Sequence, residues 1–214
     1  MSKRKKALPE LVSAAERLLQ QGDQRHFLAV AGAPGSGKST HAEALLDALE
    51  ITHPGKSAIL PMDGFHFDDA VLHAMGRHPW KGAPDTFDVG GLRSVLYRLR
   101  DVSEGEVAVP VFDRTLEISR GSARLIPAEA ELIIVEGNYL LLDEAPWSSL
   151  ADCFDVTAMI DVPEEELNRR LRRRWVRFGL DEEGIQHKLE GNDMPNGRTV
   201  INKSRKADLV LTQD

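Results

Sequence analysis

Gly32, Ala33, Pro34, Gly35, Ser36, Gly37, Lys38, Ser39 and Thr40 carry the clearest chemical signal in the chain. They fit the pattern G-x-x-x-x-G-K-[ST], whose glycines let the backbone curl until several N–H groups face one point and form an anion nest. A helix starting there adds its positive end. Lys38 then sets an ammonium against the terminal phosphates of a nucleotide, and Ser39 offers a hydroxyl to Mg2+. With glycine at about 7% of residues, a random chain of this length matches the pattern about one time in a hundred. The pattern also needs a strand before it and a helix after it, and "FLAVAG" (27–32) and "GKSTHAEALLDALE" supply both. The stretch predicts a nucleoside triphosphate held with magnesium. By itself it does not separate phosphate transfer from a hydrolysing switch.

Transfer needs an acceptor site, and in an open parallel sheet ligands bind beyond the carboxyl ends of the strands. Three acids follow apolar runs: Asp63 after "SAILPM", Asp113 after "VPVF" and Glu136 after "LIIV". One acid at a strand end serves equally well as a helix cap, but three converging near a phosphate loop point to a site. Phosphoryl transfer asks for positioning, charge neutralisation and a group that orients the acceptor hydroxyl. Asp63 is the candidate base. Glu136 is the metal-side acid, and Ser39, Glu136 and Asp63 are the candidate magnesium-facing oxygens. A carboxylate beside Mg2+ has a low pKa, so Asp63 orients the hydroxyl as much as it deprotonates it. His66 and Phe87 are candidate acceptor-pocket residues. His73, His78 and His187 have no partner at metal-ligand spacing and read as surface or core residues.

Downstream, "PEEELNRRLRRRWVRFG" (163–179) crowds arginines into a helix. Pro163 opens it, the acids suit its positive end, the arginines its negative end, and Gly179 stops it. Glu165–Arg169 and Glu166–Arg170 are spaced for i,i+4 pairs. Capping accounts for only part of the cluster. Arg170, Arg173 and Arg174 share one side and are candidates to close over the triphosphate as a lid.

The elements that must position these residues follow from the apolar pattern. Residues 1–24 read as a basic tail and an amphipathic helix. Strands are expected at 27–32, 57–62, 107–113, around 132–136, at 155–162 and at 207–211, and "LEISRGSARLI" as a hairpin around Gly121. Apolar strands alternating with helices predict an α/β fold of the P-loop NTPase type. Its sheet is mainly parallel and five-stranded, with helices on both faces, a small β-hairpin and an Arg-rich lid helix. One domain spans 1–214, with an acceptor-side insert at 76–127 and a lid region at 163–198. Residues 76–91, rich in Gly and Pro with Trp80 and Phe87, form a loop long enough to be functional. The chain is 42% hydrophobic and 29% charged, with a net charge of −7, which disfavours binding of nucleic acid. A single cysteine, Cys153, read as buried, allows no internal disulfide and fits a reducing cytoplasm. No apolar run suits a signal peptide or a membrane span.

"GAPGSGKST", "PMDGFHF", "KGAPDTFD", "VPVFDRTLE", "IIVEGNYLLL" and the Arg-rich helix, in this order, resemble the P-loop kinases that include uridine kinase, phosphoribulokinase and type I pantothenate kinase. The likeness spans about residues 25 to 212 and is nearest to bacterial proteins called fructose transport system kinases. It implies ATP-dependent transfer to a hydroxyl of a small molecule: a sugar, a nucleoside or a pantothenate-like alcohol. Asp63 matches the catalytic aspartate, Glu136 the second strand-end acid, and Arg170 with Arg173 or Arg174 the lid arginines. Asp113 and Arg114, with Glu117 in the same stretch, match the acceptor-side hairpin. Relatives assemble as dimers or more, so the resemblance allows a homodimer, with no interface legible in the sequence. The chain departs from uridine kinases at Lys81 and Gly82, where they carry a ribose-binding acid, and at His66, where they carry tyrosine. Two other readings stay open. A P-loop switch would need no small acceptor. "NKSR" (202–205) resembles a guanine clamp, but Arg205 replaces its acid, which points to adenine. A nucleic-acid-processing ATPase would use the Arg helix but conflicts with the acidic balance.

Overall fold

A computed structural model describes residues 4–22 and 24–213. The first three residues of the expected basic tail lie outside it. From Arg4 the backbone is helical: α1 spans Arg4–Leu19 and buries Leu11, Ala14, Ala15 and Leu18 in the main core. Next come β1 (His26–Gly32), α2 (Lys38–Thr52), β2 (Ser57–Pro61), α3 (Asp69–Ala74), α4 (Val89–Arg100), β3 (Val107–Asp113) and β4 (Ile118–Ile126). The chain continues through β5 (Leu132–Gly137), β6 (Val156–Asp161), α5 (Glu164–Arg177), α6 (Glu182–Lys188), α7 (Met194–Lys203) and β7 (Leu209–Thr212).

Five strands form one parallel sheet in the order β2-β5-β1-β6-β7. Every residue of β1 and β5 is buried. That is why both strands are unbroken apolar runs rather than alternating ones: a parallel strand inside such a sheet meets packing on both faces. The register places Glu136 beside Val30 on one side and Pro61 on the other. The loops leaving β1, β2 and β5 therefore emerge level with one another, and they carry the Gly-rich loop, Asp63 and Glu136.

β3 and β4 stand apart as a two-stranded antiparallel ribbon. The hairpin turns at 114–117 and not around Gly121. Asp113 sets that turn, its Oδ1 accepting the N–H groups of Thr115 and Leu116. Glu117 takes the left-handed conformation, φ 55°. Gly121 instead lies in a bulge. Pro110 has no N–H to offer its partner strand, and the register slips between Val109 and Val111, with Ser122 at φ 52°. The hydroxyl of Ser119 donates to the Gly64 carbonyl and pins the ribbon to the turn that carries Asp63.

The loop at 76–91 condenses into two short 3-10 turns, His78–Trp80 and Pro84–Thr86, and a β-bridge joins Phe87 to His66. The lid holds more structure than one Arg-rich helix. α5, α6, a π turn at Leu189–Asp193 and α7 enclose a small core of Leu171, Ile185, Leu189 and Met194, with Trp175 and Leu180 against it. Of the two expected ion pairs on α5, Glu166–Arg170 forms at 2.7 Å, while Arg169 also turns to Glu166 at 2.5 Å. Cys153 is buried. Among the described residues no helix is long and apolar enough to cross a membrane.

One buried charge holds the base of the fold. Arg25 is 1% exposed. Its guanidinium donates to the carbonyls of Ala130 at 2.7 Å, Leu99 at 2.8 Å, Ala128 at 2.8 Å and Pro127 at 3.3 Å. It joins the end of α4 and the β4–β5 turn to the start of β1. Charge-assisted bonds are the stronger kind, and alanine leaves those carbonyls buried without donors, so Arg25→Ala is expected to lose roughly 3 kcal/mol of stability. Urea denaturation measures it; a loss under about 1 kcal/mol would mean that water replaces the side chain.

Candidate active site

The Gly-rich loop runs from the end of β1 to the start of α2. Gly35 and Gly37 have φ of 79° and 88°, which side-chain-bearing residues adopt at a cost. A Cβ on Gly35 would sit 3.0 Å from Leu171 Cγ on α5, and one on Gly32 would sit 2.5 Å from Ser36 Oγ. α2 opens at Lys38 with no side-chain cap from Gly37, so its first-turn N–H groups are available at the loop mouth. The Ser36 hydroxyl is buried without a hydrogen-bond partner in the protein. Ser39 Oγ donates to Glu136 Oε2 at 2.9 Å. An uncapped helix start, a glycine cradle and a paired hydroxyl and carboxylate fit a triphosphate with its divalent cation. Among the described residues no cluster of three His, Cys, Asp or Glu side chains forms a metal cage of its own. A magnesium ion here would complete its shell with phosphate oxygens and water.

Asp63 sits in the turn after β2, its side chain 20% exposed, with Arg114 Nη2 2.6 Å from its Oδ2. Burial alone would raise its pKa, but the charges of His66 when protonated, Lys38 and Arg114 outweigh burial and hold the carboxyl below its ordinary value. Glu136 moves the other way. Burial raises it and the charge of Asp63 adds to that, against Lys38 and the Ser39 hydrogen bond. Two neighbouring carboxylates are thus pushed apart, the arrangement that separates roles in acid–base sites.

His66 Nδ1 lies 2.8 Å from the Asp63 carbonyl. A carbonyl only accepts, so Nδ1 carries the proton and Nε2 is left as an acceptor. The ring is flanked by Phe87 at 4.0 Å and Phe112 at 4.7 Å between centroids. Burial lowers the pKa of His66 against the pull of Asp63, which favours the neutral ring.

These groups face a cavity of about 340 Å³. Pro34, Gly35 and Lys38 line it from the Gly-rich loop; Asp63 and His66 from the turn after β2; Phe87 from the loop before α4; Arg114 and Glu117 from the β3–β4 turn; Arg174 from α5. Other expected residues lie elsewhere. Glu136 and Ser39 border a neighbouring groove. Thr40 and Arg173 are exposed. Arg170 is held by Glu166, by the Ser36 carbonyl at 3.1 Å and by Gln213. Asp113 does not line the cavity: β3 belongs to the ribbon, so its end is not a carboxyl end of the parallel sheet, and Asp113 shapes the hairpin turn. The convergence of three acids reduces to two.

Asn192, Trp175 and Asp193 line the cavity with no signal in the pattern, and the contacts of Lys81 and Tyr139 are likewise not announced by it. Lys81 Nζ bonds Asp69 at 2.6 Å and the Glu117 carbonyl. Asn192 donates to the Lys81 carbonyl at 2.8 Å, and Tyr139 donates to the Gly82 carbonyl at 2.6 Å, clamping the 76–91 loop between the π turn and the end of β5. Trp175 Nε1 donates to Asp193 at 2.6 Å. A second, mostly apolar pocket of about 210 Å³ opens beside Ala33, between the end of β6 and α7, lined by Ile160, Val162, Val200 and Val210.

The sequence matches the profile of the Phosphoribulokinase / Uridine kinase family over residues 27–213. The uncharacterized protein YggC of Escherichia coli (strain K12) is 36% identical over 208 residues, covering 96% of this chain and 84% of YggC. A Schizosaccharomyces pombe protein named "putative uridine kinase" is 31% identical over 212 residues, 95% of this chain and 89% of that protein. The crystal structure of a "putative fructose transport system kinase" from Silicibacter sp. TM1040 superposes with a TM-score of 0.85 at 36% identity, covering 94% of this chain and 98% of the other. With a profile match over nearly its whole length and relatives of this likeness, the chain belongs to the phosphoribulokinase/uridine kinase family of P-loop kinases.

Proposed function

We propose that the protein transfers the γ-phosphate of ATP, with Mg2+, to a hydroxyl of a small polar alcohol bound in the 340 Å³ cavity. The observation that carries this reading is that Lys38 with the Gly-rich loop and Asp63 line the same cavity. A nucleotide's terminal phosphate and an acceptor hydroxyl would meet between them. The loop N–H groups and Lys38 hold the β- and γ-phosphates. Magnesium, when bound, would neutralise charge on the phosphates, and Ser39 and Glu136 would hold it. Asp63 orients the acceptor hydroxyl and takes its proton, Arg174 offsets charge on the transferring group, and His66 Nε2 accepts a hydrogen bond from the acceptor. The apolar pocket beside Ala33 suits an adenine ring.

The cavity is at the small end for ligand sites, and it must also admit a phosphate. Lys81 presents an ammonium and cannot accept from ribose hydroxyls as a carboxylate does. Both points favour a monosaccharide or a hydroxy acid over a nucleoside. The test is ADP release with ATP, Mg2+ and a panel of monosaccharides, hydroxy acids, pantothenate and nucleosides. One acceptor is expected to raise the rate at least a hundredfold over the acceptor-free background, about 3 kcal/mol of barrier. If every small alcohol fails and a partner protein accelerates hydrolysis instead, the chain is a switch.

A further inference from the structure

We propose that His41 and Gln213 are positioning residues of the nucleotide site, acting through the carbonyls of the Gly-rich loop. The proposal rests on the reading of that loop as a triphosphate cradle. His41 lies on α2 and Gln213 just beyond β7; they are 4% and 2% exposed. Their side chains meet at 2.7 Å, His41 Nε2 to Gln213 Nε2. On its other side His41 Nδ1 stands 2.8 Å from the Gly37 carbonyl. Gln213 Oε1 lies 3.4 Å from Arg170 Nη1, which also reaches the Ser36 carbonyl at 3.1 Å.

The donors run one way. The Gly37 carbonyl only accepts, so His41 carries its proton on Nδ1. Nε2 is then an acceptor, which the amide nitrogen of Gln213 satisfies, leaving the amide oxygen for the guanidinium of Arg170. Glu166 anchors that guanidinium through Nε at 2.7 Å. The chain of bonds thus joins α5, the end of β7 and α2 and terminates on two successive loop carbonyls.

What this does to the cradle follows from the planar trans peptide, in which C=O and the next N–H point in opposite directions. Holding the carbonyls of Ser36 and Gly37 on the outer side turns the N–H groups of Gly37 and Lys38 to the inner side, where an anion nest needs them. Gly37, at φ 88°, has little conformational preference of its own to keep that peptide from flipping. The backbone N–H of His41 also donates to the Gly37 carbonyl, at 3.0 Å; the brace adds a side-chain hold on that carbonyl and a hold on the Ser36 carbonyl, and so presets the cradle before the nucleotide arrives.

The test is ATP and ADP binding to the full chain by calorimetry, with amide NMR signals of Gly37 and Lys38 recorded without ligand. Gln213→Leu and His41→Leu are each expected to weaken both nucleotides about tenfold and to shift or broaden those two signals. The double variant is expected to lose no more than either single one, because both cut the same chain of bonds. Should Gln213→Leu fail to fold, Gln213→Met and His41→Leu carry the same cycle. Unchanged nucleotide affinity in a folded variant, or strictly additive losses, would overturn the proposal. Wild-type protein that binds no ATP would instead overturn the reading of the cradle itself.

Discussion

Asp63→Asn is expected to lower acceptor-dependent transfer about a thousandfold while ATP affinity stays within about threefold of wild type. Asparagine keeps the shape of the side chain and its place in the turn after β2. It removes the negative charge and the ability to take a proton. In the proposed reading the nucleotide is held by Lys38 and the Gly-rich loop and not by Asp63, so its binding is expected to survive. The complication is Arg114, whose guanidinium bonds Asp63 at 2.6 Å. If Asp63 served only to hold Arg114, then Arg114→Gln would cost as much as Asp63→Asn. With Asp63 as the base, Arg114→Gln is expected to raise the KM for the acceptor and to leave most of kcat. Steady-state kinetics of the two variants with the acceptor found in the panel separates these cases. Normal transfer by Asp63→Asn would remove Asp63 from the mechanism.

What could be read in advance depended on how local the physics was. The cradle was legible because its chemistry is continuous in the chain: an apolar strand, glycines for the curl, then Lys38 and Ser39 on one helix start. The five-stranded parallel sheet was legible because β1 and β5 are buried on both faces and must be apolar throughout. Asp113 misled because it has the local look of Asp63, an acid after an apolar run. What separates them is which sheet the strand joins, and pairing partners far apart in sequence decide that. Gly121 misled in a similar way: a glycine flanked by strand-forming residues signals a turn, yet here it lies in the register shift opposite Pro110 while the chain reverses earlier, at 114–117. The side of the cavity formed by residues 189–193 was the least legible. Asn192 and Asp193 reach the cavity from a π turn, and Asn192 bonds the backbone of Lys81, a contact that no residue pattern announces. Gln213 had no signal at all, because its partners lie on α2 and α5.

Among the lid arginines, Arg174→Ala is expected to cause the largest loss, a fall in kcat of two to three orders of magnitude, about 3 to 4 kcal/mol of barrier. Of the three candidates on α5 it is the one lining the cavity. Its guanidinium lies 5.2 Å from the Trp175 ring centroid and 5.9 Å from that of Phe178. That stacking limits its motion and leaves its planar donors for an anion, so Arg174→Lys is expected to recover little: lysine keeps the charge but loses the fork and the stacking. Arg170 should behave differently. It is engaged with Glu166 and the Ser36 carbonyl, so Arg170→Ala is expected to raise the KM for ATP more than it lowers kcat. Arg173, exposed on α5, is expected to be replaceable with little effect. Rates at saturating ATP and acceptor, with KM values for both, distinguish the three. Neighbouring positions on an α-helix point about 100° apart. A loss of activity in Arg173→Ala but not in Arg174→Ala would therefore mean that α5 presents another face when the lid closes, and the assignment made from the cavity would fail.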